Sequence, residues 1–343
     1  MCIRDRFHSP AQLVAGLKNL AADIKMHITE TETESAEDSA GTMGAEINRL
    51  FDRVPEIQRY NWQRRADVAA AVGFAWGEVN AWEDAVRWLE QAIRAADGDC
   101  PVRAVEQCAN FQVRLAASRW RAVRLLDSGD ELETRRHELI DQIEKAIKEL
   151  DLINLRAPTS ERLNLLGSAC KRLAWLSTSP GARREALINM EQYYRQAMEI
   201  DQGESPYAFT NWAFAEVLAR HRDGAGDDDW QQPLKARARE VADVARRLNA
   251  RSPNFWDAVG EPDAELVHLL VDLFSAGARL TDPEAESASL RIAGLYRDAA
   301  RRGASPRAFS SVLEHLDFLV DHCAAIQLER AGATVASIRN ALA

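Results

Sequence analysis

The stretch TSERLNLLGSACKRLAWLSTSPGARREALINMEQYYRQAMEID, Thr159 to Asp201, decides how the rest of the chain is read. Its first half carries Leu163, Leu166, Gly167, Cys170, Leu173 and Ala174 at spacings of three and four, the period of an amphipathic helix. Ser177 to Gly181 interrupts that period with Ser, Thr, Pro and Gly, the residues of a turn. The second half resumes it with Met190, Tyr194 and Ala197. Gly167 and Ala197 are small enough to let two helices approach closely. The stretch predicts a helical hairpin of the kind that stacks on copies of itself.

Copies are legible in both directions. In second helices a medium apolar residue recurs with a larger one four positions on and an alanine three after that. The triplets are Ala85/Leu89/Ala92, Leu139/Ile143/Ala146, Met190/Tyr194/Ala197, Ala238/Ala242/Ala245 and Ile292/Tyr296/Ala299. Their alanines lie 54, 51, 48 and 54 residues apart, an even spacing that marks a repeat architecture. The hairpins implied are Ala66–Asp97, Pro101–Ile153, Thr159–Asp201, Tyr207–His221 with Pro233–Ala250, and Asp263–Arg302. Ser205-Pro206 and Ser305-Pro306 are N-cap and first-turn pairs, and Thr281-Asp282-Pro283-Glu284 is a capping box. Pro306 to Cys323 is expected to be the last helix, closing the end of the stack. No strand pattern interrupts the series, so the expected fold class is all-α.

In Ala66 to Asp97 the pattern acquires a family likeness. Gly73, Trp76, Trp82, Ala85, Leu89 and Ala92 stand where the tetratricopeptide repeat places Gly, Tyr, Tyr, Ala, Phe and Ala, and the segment resembles that family. The Thr159–Asp201 hairpin is similar, although its period exceeds the family's usual ~34 residues. The resemblance implies a right-handed helical-repeat solenoid of stacked hairpins and a non-enzymatic role in protein–protein interaction. The phrases LLGSACKRLA and GASPRAFSSVLEHLDFL also resemble tetratricopeptide-type regions of bacterial proteins that carry effector domains such as caspase-like CHAT peptidases. That second likeness implies a scaffold or sensor arm of a larger protein. The alternative it leaves open is part of a cysteine-peptidase system whose catalytic domain lies outside this chain.

Composition sets the outer bounds. The chain has 343 residues, 46% hydrophobic, with a formal net charge of −10. An acidic balance with both signs interleaved argues against nucleic acid as partner, because phosphate binding needs a basic surface. No apolar run is long enough to span a membrane. Five scattered cysteines, Cys2, Cys100, Cys108, Cys170 and Cys323, form no paired motif and read as reduced thiols of a cytoplasmic protein. Residues 1–6 fit nothing that follows and read as an adapter-derived artefact. Residues 7–28 are expected to form an N-terminal helix, 29–44 an acidic linker, 45–330 the repeat domain and 331–343 a C-terminal tail or short helix. The expected partner is a protein or peptide, such as an acidic segment or an effector domain missing upstream.

Enzyme-like signals are few. Gln107-Cys108 has the look of a caspase-type nucleophile, but it falls inside the helical stretch EQCANFQVRLAASRW with no His-Gly companion, so Cys108 is expected to pack. The seven histidines never take metal spacing, and His315 and His322 are expected on a solvated helix surface. Asp227-Asp228-Asp229 lacks the turn glycine and terminal glutamate of a calcium loop and reads as a solvated loop. No phosphate-binding loop or hydrolase elbow is present, so neither cofactor nor metal is expected. The nine tryptophans, at helical spacing, are expected to pack.

One set stands apart. In the tetratricopeptide family five positions of each first helix line the concave groove. Carried over by the resemblance, they are Glu161, Asn164, Ser168, Lys171 and Arg172 in the hairpin quoted above, and Asp67, Ala70, Phe74, Gly77 and Glu78 in the first repeat. Lys171 and Arg172 could hold a partner's carboxylates, with Asn164 bonding its backbone. The reading set against this, and favoured over it, is that the same residues form ion pairs within the fold. If they line an open groove, reversing both charges should leave folding intact.

Overall fold

The computed structural model describes residues 6–27, 36–124, 129–203, 205–221, 230–251, 254–274, 280–302 and 304–342. Within them every regular element is a helix, and the fold is an all-α helical repeat. Two compact units divide the chain, residues 1–142 with 303–308 and residues 143–302 with 309–343.

The first unit begins with α1 (Pro10–His27), α2 (Ala36–Asp52), α3 (Glu56–Gln63), α4 (Ala66–Glu78), α5 (Trp82–Arg94) and α6 (Val102–Val123). Between Asp67 and Glu78 at its two ends α4 is apolar all round, as a helix must be when both its faces are covered. One face, through Val68, Val72 and Ala75, meets Leu13, Leu17, Met43, Ile47 and Phe51 of α1 and α2. The other, through Ala69 and Ala70, meets Ala85, Leu89 and Phe111 of α5 and α6. Gly73 makes that second contact possible, since a methyl group there would lie 2.7 Å from Leu89 Cγ. Each fully buried leucine or phenylalanine of these layers contributes about 1.5–3 kcal/mol relative to exposure.

α2 corrects the expectation of an acidic linker over residues 29–44. Residues 36–44 are helical, and Met43 is fully buried one turn ahead of Ile47 and two ahead of Phe51. The helix reaches back into the acidic stretch because Met43, Ile47 and Phe51 make one continuous stripe. The rest of that stretch, residues 29–35, lies outside the described residues, as do residues 1–5 and the acidic run Asp227-Asp228-Asp229.

α7 (Gly129–Asn154) leads into the second unit, which continues with α8 (Ser160–Leu176), α9 (Pro180–Ile200), α10 (Pro206–His221), α11 (Gln231–Arg251), α12 (Phe255–Phe274) and α13 (Asp282–Ala300). α14 (Pro306–Ala325) and α15 (Glu329–Asn340) complete the chain's helices. α8 packs on α9, α9 on α10, α10 and α11 on α12, and α12 on α13, the succession expected of stacked hairpins. Caps start the helices where the sequence placed them. Ser205 Oγ accepts from the Ala208 N–H at 3.3 Å, Ser305 Oγ from Ala308 at 3.2 Å, and Thr281 and Glu284 close a capping box; Thr159 Oγ1 adds a further cap, accepting from the Arg162 N–H at 3.2 Å. The repeat alanines Ala92, Ala146, Ala197, Ala245 and Ala299 are all buried.

Two ends differ from expectation. α12 begins at Phe255, ahead of the predicted Asp263, and runs through Pro262, whose buried ring is tolerated within the helix. Residues 329–340 form α15, the short-helix alternative, starting two residues ahead of the expected Ala331 and firmly packed. Ala331, Val335 and Ile338 are buried, α15 packs on α12 and α13, and Arg339 holds Asp317 at 2.8 Å.

Candidate functional site

The α8 face predicted to line a groove is covered in this structure by α14. Glu161 is exposed and Asn164 half-buried, whereas Ser168, Lys171 and Arg172 are buried. Arg172 is 3% exposed, its Nε 2.5 Å from Glu314 Oε1. Its Nη1 also donates to the Ser168 carbonyl at 3.0 Å and to Ser168 Oγ at 2.6 Å. Lys171 Nζ donates to His315 Nδ1 at 3.3 Å, and Trp175 Nε1 donates to Asp321 Oδ2 at 2.7 Å. The His315 ring lies 4.5 Å from that of Phe214 on α10. Lys171 and Arg172 thus face α14 and Ser168 is buried beside them, so three of the five proposed groove residues are covered among the described residues.

The same contact overturns the placement of His315 and His322 on a solvated surface, for both are buried. Burial first, then the Lys171 and Arg172 charges, push the His315 pKa well below its ordinary value. His315 is therefore neutral, and accepting from Lys171 at Nδ1 leaves its proton on Nε2. α14 was expected to close the stack, yet its residues 314–322 lie on α8 and α10. The signal was present in the sequence: Glu314, His315, Phe318, Asp321 and His322 share one helical stripe, too polar for a core face and too aromatic for a solvated one.

Beside this contact lies a second buried polar pair. Tyr296 on α13 donates to Asp263 on α12, both buried. Burial pushes the Asp263 carboxyl up to about 6, opposed by the Tyr296 bond and the Lys171 charge.

In the first unit the corresponding α4 positions are equally engaged. Asp67 binds Arg65 through two bonds of 3.0 and 3.1 Å, Ala70 is buried, and Gly77 lies against Phe111. Arg103 stands 5.6 Å over the Phe74 ring, and Arg307 pairs with Glu78 at 3.1 Å.

Cys108 sits mid-helix on α6, 4% exposed. Among the described residues no three His, Cys, Asp or Glu side chains converge on a common metal position, and no helix is long and apolar enough to cross a membrane. Trp62, Trp82, Trp120 and Trp175 are buried, and Trp256 is 46% exposed. These arrangements offer chemistry for recognition: fixed cations, carboxylates and aromatic rings.

No curated protein matches the chain. Residues 81–216, from the start of α5 into α10, match the model of the family described as Tetratricopeptide Repeats-Sensor, and this span is a tetratricopeptide-type repeat region.

Proposed function

We propose that the chain is a non-enzymatic protein-interaction module, a scaffold or sensor arm acting in the bacterial cytoplasm beside an effector domain such as a CHAT peptidase. The match of residues 81–216 to a sensor-type repeat family supports the general reading. The observation that carries it furthest is the α8 face itself. Lys171, Arg172 and Trp175 hold a helix through Glu314, His315 and Asp321, so the repeat takes an acidic helix within its own chain. Recognition of an acidic motif by a cluster of cationic side chains uses the same chemistry. The effector association rests on the likeness of LLGSACKRLA and GASPRAFSSVLEHLDFL to effector-linked repeats.

The test is crosslinking capture from the native host, followed by titration of the purified captured protein against the purified chain. Saturable binding at a fixed stoichiometry is expected. Turnover of peptide or ester substrates by the purified chain, abolished by Cys108→Ala, would replace this reading with an enzymatic one. Absence of any saturable protein partner would also overturn it.

A further inference from the structure

We infer that the first unit carries a second, separate docking surface, a cleft between α3 and α5 that takes an acidic, apolar-edged segment of another protein. The inference goes beyond the α8 face and rests on the interaction reading. The cleft measures about 730 Å³ and is lined by Tyr60, Arg64 and Arg65 on one side and Arg87, Trp88 and Arg94 on the other. Among the described residues Asp97 is the one carboxylate in its lining, and it is already engaged, accepting the Ala66 N–H at 3.1 Å.

The four guanidinium groups are not equivalent. Arg65 is fixed by two bonds to Asp67. Arg64 lies over the Tyr60 ring at 5.1 Å and donates to its hydroxyl, a neutral partner. Arg87 and Arg94 pair with Asp84 and Glu90 one turn away on α5, with 70% and 71% of their side chains exposed. Such exposed pairs are weak, so an incoming carboxylate can share or replace them. Arg64, Arg87 and Arg94 are thus three positive groups around one cleft of a chain whose net charge is −10.

The apolar requirement comes from α3. Ile57 is 88% exposed and Tyr60 63% exposed, one turn apart on the outer face of that helix. A polyphosphate or a nucleic-acid backbone would leave the exposed Ile57 without an apolar partner. A protein segment with glutamates or aspartates beside leucine-type side chains satisfies both the arginines and the Ile57–Tyr60 edge.

The probe is a short fluorescein-labelled peptide of leucine and glutamate arranged as an amphipathic helix, titrated against the full chain at about 0.15 M salt. Binding is expected, and it should be lost when glutamine replaces glutamate in the peptide. The triple variant Arg64→Gln, Arg87→Gln, Arg94→Gln adds no acid to α5 and should weaken binding at least about tenfold with unchanged circular dichroism. Ile57→Ser with Tyr60→Ser should weaken it as well. No binding by the parent, equal binding by the triple variant, or tighter binding of an oligonucleotide than of the peptide would each overturn the cleft. If a captured native partner binds the triple variant as tightly as the parent, the cleft fails while the interaction reading stands.

Discussion

Single residues report on packing most directly where a side chain is missing. A methyl group at Gly167 would lie 2.6 Å from Tyr194 Cε2, and Tyr194 is fully buried, so its ring cannot swing clear. Gly167→Ala should cost about 1–3 kcal/mol in urea denaturation. Gly294, also mid-helix, has nothing within 4 Å of the same position, and Gly294→Ala should stabilise by roughly 0.5–1 kcal/mol. Equal effects at the two sites would show that the close approach is not what selects glycine. Thiols divide in the same way. Cys108, Cys170 and Cys323 are buried, and burial pushes Cys170 and Cys323 up to about 12, whereas Cys100 is half-buried. Among these four, Cys100 should label first, and rapid labelling of Cys108 in the folded protein would reopen the nucleophile question. Asp263 supplies a pH-dependence. Its folded pKa, raised from 3.8 to about 6, favours the protonated form, so its stabilising share is complete below the unfolded value and is lost as pH rises through the folded one. The loss is on the order of 3 kcal/mol. His315, held neutral, works the opposite way as pH falls, so the comparison must be between variants. The stability of the parent relative to Asp263→Asn should fall between about pH 4 and pH 6 and stay level above. A difference that does not change with pH would mean that Asp263 is not the buried acid described.

At the scale of the element, α8 and α14 show what a sequence conceals. Helix periods and the turn of the Thr159–Asp201 hairpin were legible because each depends on residues close together in the chain. The Tyr194 contact with Gly167 follows from the repeat pattern itself. The cover over Lys171 and Arg172 did not, because a buried ion pair and a solvated one use the same side chains, and Glu314 lies far along the chain from Arg172. Burial therefore changes what charge reversal should do. Lys171→Glu with Arg172→Glu was expected to leave folding intact over an open groove. With Arg172 buried against Glu314, Arg172→Glu alone should cost about 3–5 kcal/mol, because it sets two carboxylates together without water. Adding Glu314→Arg restores opposite charges and should recover part of that loss. Thermal denaturation of the three variants decides between the readings. A single reversal that melts like the parent would mean that the α8 face is free.

For the whole molecule, the local grammar of the chain carried the repeat hairpins, but not α2, the start of α12 or the division into units. Membership of residues 303–308 in the first unit, after the last repeat alanine, depends on contacts such as Arg307 with Glu78 that no periodicity encodes. Each unit has a core of its own, Leu13 to Phe111 in the first and Leu163 to Tyr296 in the second. In repeat proteins stability is approximately a sum of repeat terms and neighbour terms, so an injury spreads first to adjoining helices. Gly73 sits between α4 and α5, where a methyl group would lie 2.7 Å from Leu89 Cγ and 3.1 Å from the Ala85 carbonyl oxygen. Gly73→Ala should therefore speed native-state hydrogen exchange in α4, α5 and α6. Amides of α12 and α13 should keep their parental rates under the same conditions, since their slowest openings do not pass through α4. Mass-spectrometric exchange resolved to peptides reads both regions in one experiment. Uniform acceleration would mean that the chain opens as one cooperative body, and the nearest-neighbour account would not apply to it.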